Sequence, residues 1–189
     1  MAMPQTHPVR GDWTVEEMWR LPEDGNRYEV IDGVLYVTPS PSDDHQDAVG
    51  LLFRRIGEYL DRCPVGWVRV SPADVRLGPK RGVQPDVYVA PLVSGRRPHG
   101  WQEITHLLLA IEVLSPATAA RDRGVKRRLY QQHTDEYWIV DLDARLIERW
   151  RPGDERPEIL DGTLTWQPAG ADAPLTADLP AFFREVCDE

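Results

Sequence analysis

The chain has 189 residues, 41% of them hydrophobic, enough for one ordinary core and short for two. Its 22 basic against 31 acidic residues give a net charge of −9, which repels a nucleic-acid backbone at long range unless positive charge is gathered on one face. Cys63 and Cys187 have neither the number nor the spacing of a disulfide framework or zinc site, the first residues lack the order of a secretory signal, and no apolar run approaches the roughly 20 residues of a membrane helix; a cytoplasmic protein is expected.

Residues 1–12 are polar, without periodicity, and read as a loose arm before a short helix near Thr14–Trp19 capped by Thr14. This gives a leading segment 1–26 and one main domain over 27–189. Tyr28–Ile31 and Val34–Thr38 are β-prone runs around Asp32-Gly33, a pair suited to a two-residue hairpin turn. Ser42 can cap a helix to about Leu60, in which Val49, Leu52, Ile56 and Leu60 recur along one stripe. Strands are expected at Val68–Leu77, Asp86–Ala90 and Leu107–Leu114, the last apolar enough to be buried on both faces. A second helix is expected from Thr118 through Gln132, then a strand at Glu136–Asp141. Leu146–Trp150, the turn at Arg151–Asp154 and Leu164–Trp166 suggest a β extension, closed by a helix over Leu179–Val186.

The run Leu107-Leu108-Leu109-Ala110-Ile111-Glu112-Val113-Leu114 holds one carboxylate, costly to bury without a cation or strong donors. A buried salt bridge and a functional role explain it equally well. Asp86, after Pro85, can face solvent or a metal from the start of its strand, although a lone Pro-Asp more often makes a turn. Asp122, Lys126 and Tyr130 fall at i, i+4 and i+8 along one helix stripe. Residues 121–128 carry five basic side chains and one acidic one, a local positive patch suited to phosphates, or else a solvated helix face. There is no Gly-x-Ser-x-Gly elbow, phosphate-binding loop or His-Glu-x-x-His site.

Pro85-Asp86, then Glu112 in a strand, then Lys126, in this order of elements, resemble the PD-(D/E)xK nuclease superfamily. More closely, Tyr28-Glu29-Val30-Ile31-Asp32-Gly33, His45, Pro85-Asp86-Val87, Glu112-Val113-Leu114-Ser115-Pro116-x-Thr118, Asp122-x-x-x-Lys126-x-x-x-Tyr130 and Glu136-Tyr137-Trp138-Ile139-Val140-Asp141 resemble the bacterial family of putative restriction endonucleases. The resemblance implies an α/β restriction-endonuclease-like core: a central mixed sheet flanked by helices, with an N-terminal hairpin and a C-terminal β extension. It implies a Mg²⁺-dependent endonuclease, with Mn²⁺ as a substitute, acting on nucleic acid and on DNA first. Asp86 and Glu112 would hold the metal and Lys126 would stabilise negative charge, with Glu29 completing the shell or acting as base. Substrate contacts would come from His45, Asp122, Arg123, Arg127, Arg128 and Tyr130, so phosphates are expected to approach over the second helix. Leu114 stands where the superfamily's lysine follows the glutamate by two, and Lys126 is the replacement that the family pattern implies. His133-Thr134-Asp135 replaces a glycine-containing turn. The displaced lysine and the acidic charge also fit an alternative, a nuclease-fold module that binds nucleic acid or protein without efficient turnover. A homodimer is left open and no membrane contact is expected.

Overall fold

A computed structural model describes residues 8–38 and 40–187. The first seven residues of the expected arm, and Pro39 of the Pro39-Ser40-Pro41 break, lie outside the described residues. β1 (Arg27–Ile31) and β2 (Val34–Thr38) pair antiparallel. Asp32 and Gly33 between them have φ of 50° and 80°, the two successive positive values that a tight hairpin turn needs and that Gly33 allows without a Cβ clash. The arm is not wholly loose, since Val9 exchanges backbone hydrogen bonds with Leu35. Helix α1 (Val15–Met18) begins on Thr14, whose side chain and that of Glu17 cap each other's backbone amides. It packs Val15 and Met18 against Val30 and Leu35 of the hairpin.

The expected strand Val68–Leu77 is two strands. β3 (Gly66–Val70) ends before Pro72, and β4 (Val75–Gly78) belongs to another sheet, as expected where a proline cannot donate to a ladder. β5 (Arg81–Val83), too short and glycine-broken to stand out in the sequence, joins β4 to the hairpin in the four-stranded order β2-β1-β5-β4.

β6 (Val87–Pro91), β7 (Leu107–Val113), β8 (Thr134–Asp141), β9 (Leu146–Trp150) and β10 (Glu158–Leu160) complete a mixed sheet of order β10-β9-β8-β7-β6-β3. Only β7 and β8 are parallel. A parallel pair needs a crossover, supplied by α3 (Ala119–Arg121), a π-helical turn (Asp122–Lys126) and α4 (Arg127–His133) in unbroken succession. The helix expected over 118–132 is therefore present but not regular, since apolar periodicity does not reveal one extra residue in a turn.

Strand alternation sorts the side chains into two layers. Val87, Val89, Ile111, Val113, Trp138 and Val140 face α2 (Asp43–Arg62) and α5 (Leu179–Val186), along with Leu164 and Trp166 of β11 (Thr163–Trp166), which pairs with β12 (Leu175–Asp178). Tyr88, Ala90, Ala110, Tyr137 and Ile139 face the other way, onto α4 and the smaller sheet. Glu112, two residues from Ala110, takes this second face, which closes it between the two sheets. Among the described residues no helix is long and apolar enough to cross a membrane.

Two glycines should respond oppositely to alanine. A Cβ on Gly66 would meet Val89 Cγ1 at 2.6 Å and Ala90 O at 2.9 Å, so Gly66→Ala should lower unfolding stability by about 1–3 kcal/mol. Nothing lies within 4 Å of a Cβ on helical Gly124, so Gly124→Ala should raise stability by about 0.5–1 kcal/mol. Urea midpoints of the two variants check both signs.

Candidate active site

Glu29 is the middle residue of β1, Glu112 the last but one of β7, and Asp86 immediately precedes β6. Val87 lies opposite Ile111, which sets Asp86 beside the end of β7, where its Oδ2 accepts the Val113 amide at 2.8 Å. The two carboxylates singled out in the sequence thus stand at the same end of adjacent strands. Glu29, whose exposure the sequence leaves open, is fully buried.

Lys126 gathers them. Its Nζ lies 2.6 Å from Glu112 Oε1, 2.8 Å from Glu29 Oε1 and 4.0 Å from Asp122 Oδ1. It is completely buried. Tyr130 donates its hydroxyl to the same Glu112 oxygen at 3.0 Å, and the Gln84 amide donates to Glu29 Oε1 at 2.9 Å. Two arginines not anticipated from the sequence join the cluster. Arg27 bonds Asp86 Oδ1 at 2.6 Å, while Arg121 donates to Thr38 Oγ1 at 2.9 Å with a terminal nitrogen 3.6 Å from Glu29 Oε2. Arg27 had a usable signal, since it alternates with Glu29 on one strand and so shares its face.

Burial drives the Glu112 carboxyl upward, and Asp86, Asp122 and Glu29 push it further than Lys126 can offset, to about 8. Burial also acts on Glu29, but Lys126, Arg121 and Arg27 outweigh it and hold that carboxyl down at about 2. Asp86 is likewise held below the ordinary range, its burial overcome by the His45 hydrogen bond and by Arg27. Lys126 would lose basicity on burial, yet Glu112, Glu29 and Asp122 raise it. It is therefore a fixed ammonium at neutral pH, not a base.

Asp86 also opens outward. With Arg27 and His45 it lines a cleft of about 1090 Å³ between the hairpin, the start of α2 and the Ser115–Thr118 loop, whereas Glu29, Glu112 and Lys126 lie behind its wall. His45 Nε2 is 3.1 Å from Asp86 Oδ2. With the proton on Nε2, Nδ1 remains an acceptor without a hydrogen-bond partner among the described residues.

The structure does not bring the expected basic patch to this site. Arg121 and Lys126 turn inward. Arg123 is paired with Asp141 and Glu148 at 2.7 and 2.6 Å, and Arg127 lies over the Trp150 ring and bonds Gln131. Arg128 is exposed, and none of Arg123, Arg127 and Arg128 lines the cleft. Charge counting could not separate these directions, because the π turn alters which residues face the sheet.

The family model of Uma2, described as "putative restriction endonuclease", matches residues 15–181. The chain belongs to this family. An uncharacterized protein from Synechocystis sp. is 29% identical over 135 residues, covering 68% of each chain. The crystal structure of a "putative nuclease" from Anabaena variabilis superposes with a TM-score of 0.76 at 22% identity, covering 92% of this chain and 99% of that one. The restriction-endonuclease-like fold is thereby shown, as is membership in a family of nuclease type.

Removing the ammonium should expose its role in the fold. Lys126→Met leaves Glu29 and Glu112 buried without their shared cation, at a cost of about 3–5 kcal/mol. Both carboxyls would then be protonated more readily in the folded than in the unfolded chain, so the variant should be more stable at pH 5 than at pH 8. The parent shares this trend more weakly through Glu112, and should lose stability once pH falls below the ordinary carboxylate range, where Asp86 and Glu29, held ionised in the fold, must take up protons. Urea unfolding of both proteins at pH 8, 5 and 3 checks this: the gain from pH 8 to 5 should be larger in the variant, and the parent should lose stability from pH 5 to 3.

Proposed function

We propose that this Uma2-family chain hydrolyses phosphodiester bonds of nucleic acid, DNA first, with a divalent cation held by Asp86 and Glu112. The observation that carries this reading is the meeting of two carboxylates at the ends of adjacent strands, one open to a cleft and the other fixed by a buried lysine.

The donor set suits Mg²⁺ or Mn²⁺. All the oxygens are hard ligands, Glu29 Oε2 and Asp122 Oδ1 have no hydrogen-bond partner among the described residues, and Glu112 holds its proton because burial disfavours its charge and the carboxylates around it add to that. A cation there would take that proton's place. No group of three His, Cys, Asp or Glu side chains among the described residues is arranged to hold an ion by itself. This suits Mg²⁺, which typically uses one or two carboxylates and fills its shell with water and substrate phosphate. When bound, such an ion supplies charge neutralisation at the phosphate and acidifies water.

The chain's own groups divide the remaining tasks. Arg27, partly exposed in the cleft, can take a non-bridging phosphate oxygen. Lys126 orients Glu112 and Glu29 and sets a fixed positive charge behind the cleft wall, which favours the negative charge that grows on the phosphate oxygens in the transition state. His45 holds Asp86 at the cleft wall, and the attacking water gives its proton to solvent as its oxygen bonds to phosphorus and the ester P–O bond breaks. The departing oxygen takes its proton from solvent in the open cleft.

One observation favours the alternative of a binding module without turnover. Every cluster carboxylate except Asp122 already has a close cationic partner within 3 Å, as a purely structural network would. Turnover separates the readings. With Mg²⁺ or Mn²⁺ the chain should cleave DNA, and Asp86→Asn and Glu112→Gln should each lower the rate by about 10²-fold or more. Metal affinity should fall as pH drops below about 8, because the ion must then displace the Glu112 proton. Absence of metal-dependent cleavage from DNA and RNA, single- or double-stranded, would leave the binding module.

A further inference from the structure

The cleft beside Asp86 carries an inference about the form of the substrate, resting on the phosphodiesterase reading. Duplex DNA presents a negative charge every ~1.7 Å of helix axis and is gripped by many lysines and arginines. Among the described residues Arg27 is the only Lys or Arg lining the cleft, against Glu23, Asp74 and Asp86. The volume, about 1090 Å³, is that of a pocket for a small organic molecule or a nucleotide. On the helix that would have offered a phosphate track, Arg121 and Lys126 turn inward, Arg123 pairs with Asp141 and Glu148, and neither Arg127 nor the exposed Arg128 lines the cleft.

What the cleft offers instead is an aromatic surface. Trp19 lines it and is 39% exposed, yet the indole is held from several sides. Its Nε1 donates to Asp74 Oδ2 at 2.9 Å, and the Trp101 ring centroid is 5.7 Å away. The Arg76 guanidinium lies 4.6 Å from the Trp101 centroid and 5.8 Å from that of Trp19, and is braced by Glu16 at 2.5 Å. Such support suits a ring that must be rigid while uncovered. The support also reaches the carboxylate cluster: Asp74 Oδ1 accepts Gln84 Nε2 at 2.8 Å, and the Gln84 amide holds Glu29. Stacking surface and hydrolytic cluster are thus fixed relative to each other through one residue.

We propose that the cleft takes one unpaired nucleotide, its base stacked on Trp19 and its phosphate at Arg27 and Asp86's side of the cleft, so that the preferred substrate is single-stranded nucleic acid. Base–aromatic stacking tolerates any base, and a strand that is not paired leaves its bases free to enter. One arginine in contact also implies a shallow dependence of affinity on salt.

The test compares binding of fluorescently labelled oligothymidylate with binding of a hairpin duplex of equal length, both in EDTA, and then cleavage of both with Mg²⁺ or Mn²⁺. The single strand should bind at least about tenfold more tightly, with a salt slope for about one or two phosphates. Trp19→Ala should weaken it by about 5- to 150-fold, the stacking of one base, whereas Trp19→Phe should keep most of the affinity. Trp67→Ala, which removes an exposed tryptophan that does not line the cleft, should change nothing. Equal or tighter duplex binding, or wild-type affinity in a folded Trp19→Ala chain, overturns the inference. Asp86-dependent cleavage with no single-strand preference would sink this inference alone. A Trp19-dependent preference without cleavage of any substrate would sink the hydrolytic reading and leave the single-strand site standing.

Discussion

The buried ammonium of Lys126 is the interaction on which the rest of the molecule depends. It connects β1 of the smaller sheet, through Glu29, to β7 of the larger sheet, through Glu112, and it comes from the crossover that makes β7 and β8 parallel. An ammonium between carboxylates in an apolar surrounding returns little net stability, because desolvation consumes most of the attraction. Its effect is to specify a geometry: any shift between the two sheets would separate charges that water cannot reach. The same contact therefore fixes the angle of the hairpin, the depth of the helix and the spacing of the carboxylates.

Charge is distributed unevenly within that cluster. Glu29, Asp86, Glu112 and Asp122 face Arg27, Arg121 and Lys126, so one negative charge lacks a partner when all are ionised. The deficit falls on Glu112, which shares Lys126 with Glu29 and is closest to the other carboxylates in effect. Asp86, by contrast, has Arg27, His45 and a backbone amide to itself. Two acidic groups at the ends of neighbouring strands thus differ widely in their hold on a proton, and the difference arises from placement alone.

Much of this was legible in the sequence. Asp32-Gly33 marks the hairpin, the apolar run around Glu112 marks a strand buried on both faces, and the glutamate inside it demands a cation, which the structure supplies from the helix. The break at Ser71–Pro72 and the short β5 were not legible, because their pairing is decided by the smaller sheet and not by local pattern. The basic stretch 121–128 was misleading for a related reason. Sequence gives the number of charges, while the direction of each depends on how the helix is wound and which acids lie opposite, and Asp141 and Glu148 come from strands that follow it.

The winding itself explains how a lysine on a helix can serve carboxylates on two sheets. In a regular α-helix a four-residue step overshoots a full turn by about 40°, so residues at i, i+4 and i+8 drift around the axis. Asp122, Lys126 and Tyr130 have that spacing, yet Lys126 and Tyr130 both reach the same Glu112 oxygen, and Asp122 stays within 4.0 Å of the ammonium. The π turn over Asp122–Lys126 holds more residues per turn, so the first step falls short where an α step would overshoot, and the second step, in regular helix, makes up the difference. The three side chains are thereby brought back to one face. A lysine borne on a strand would need no such device, since strand alternation would aim it directly; one carried by the crossover helix needs the local rewinding to stand between Glu29 and Glu112.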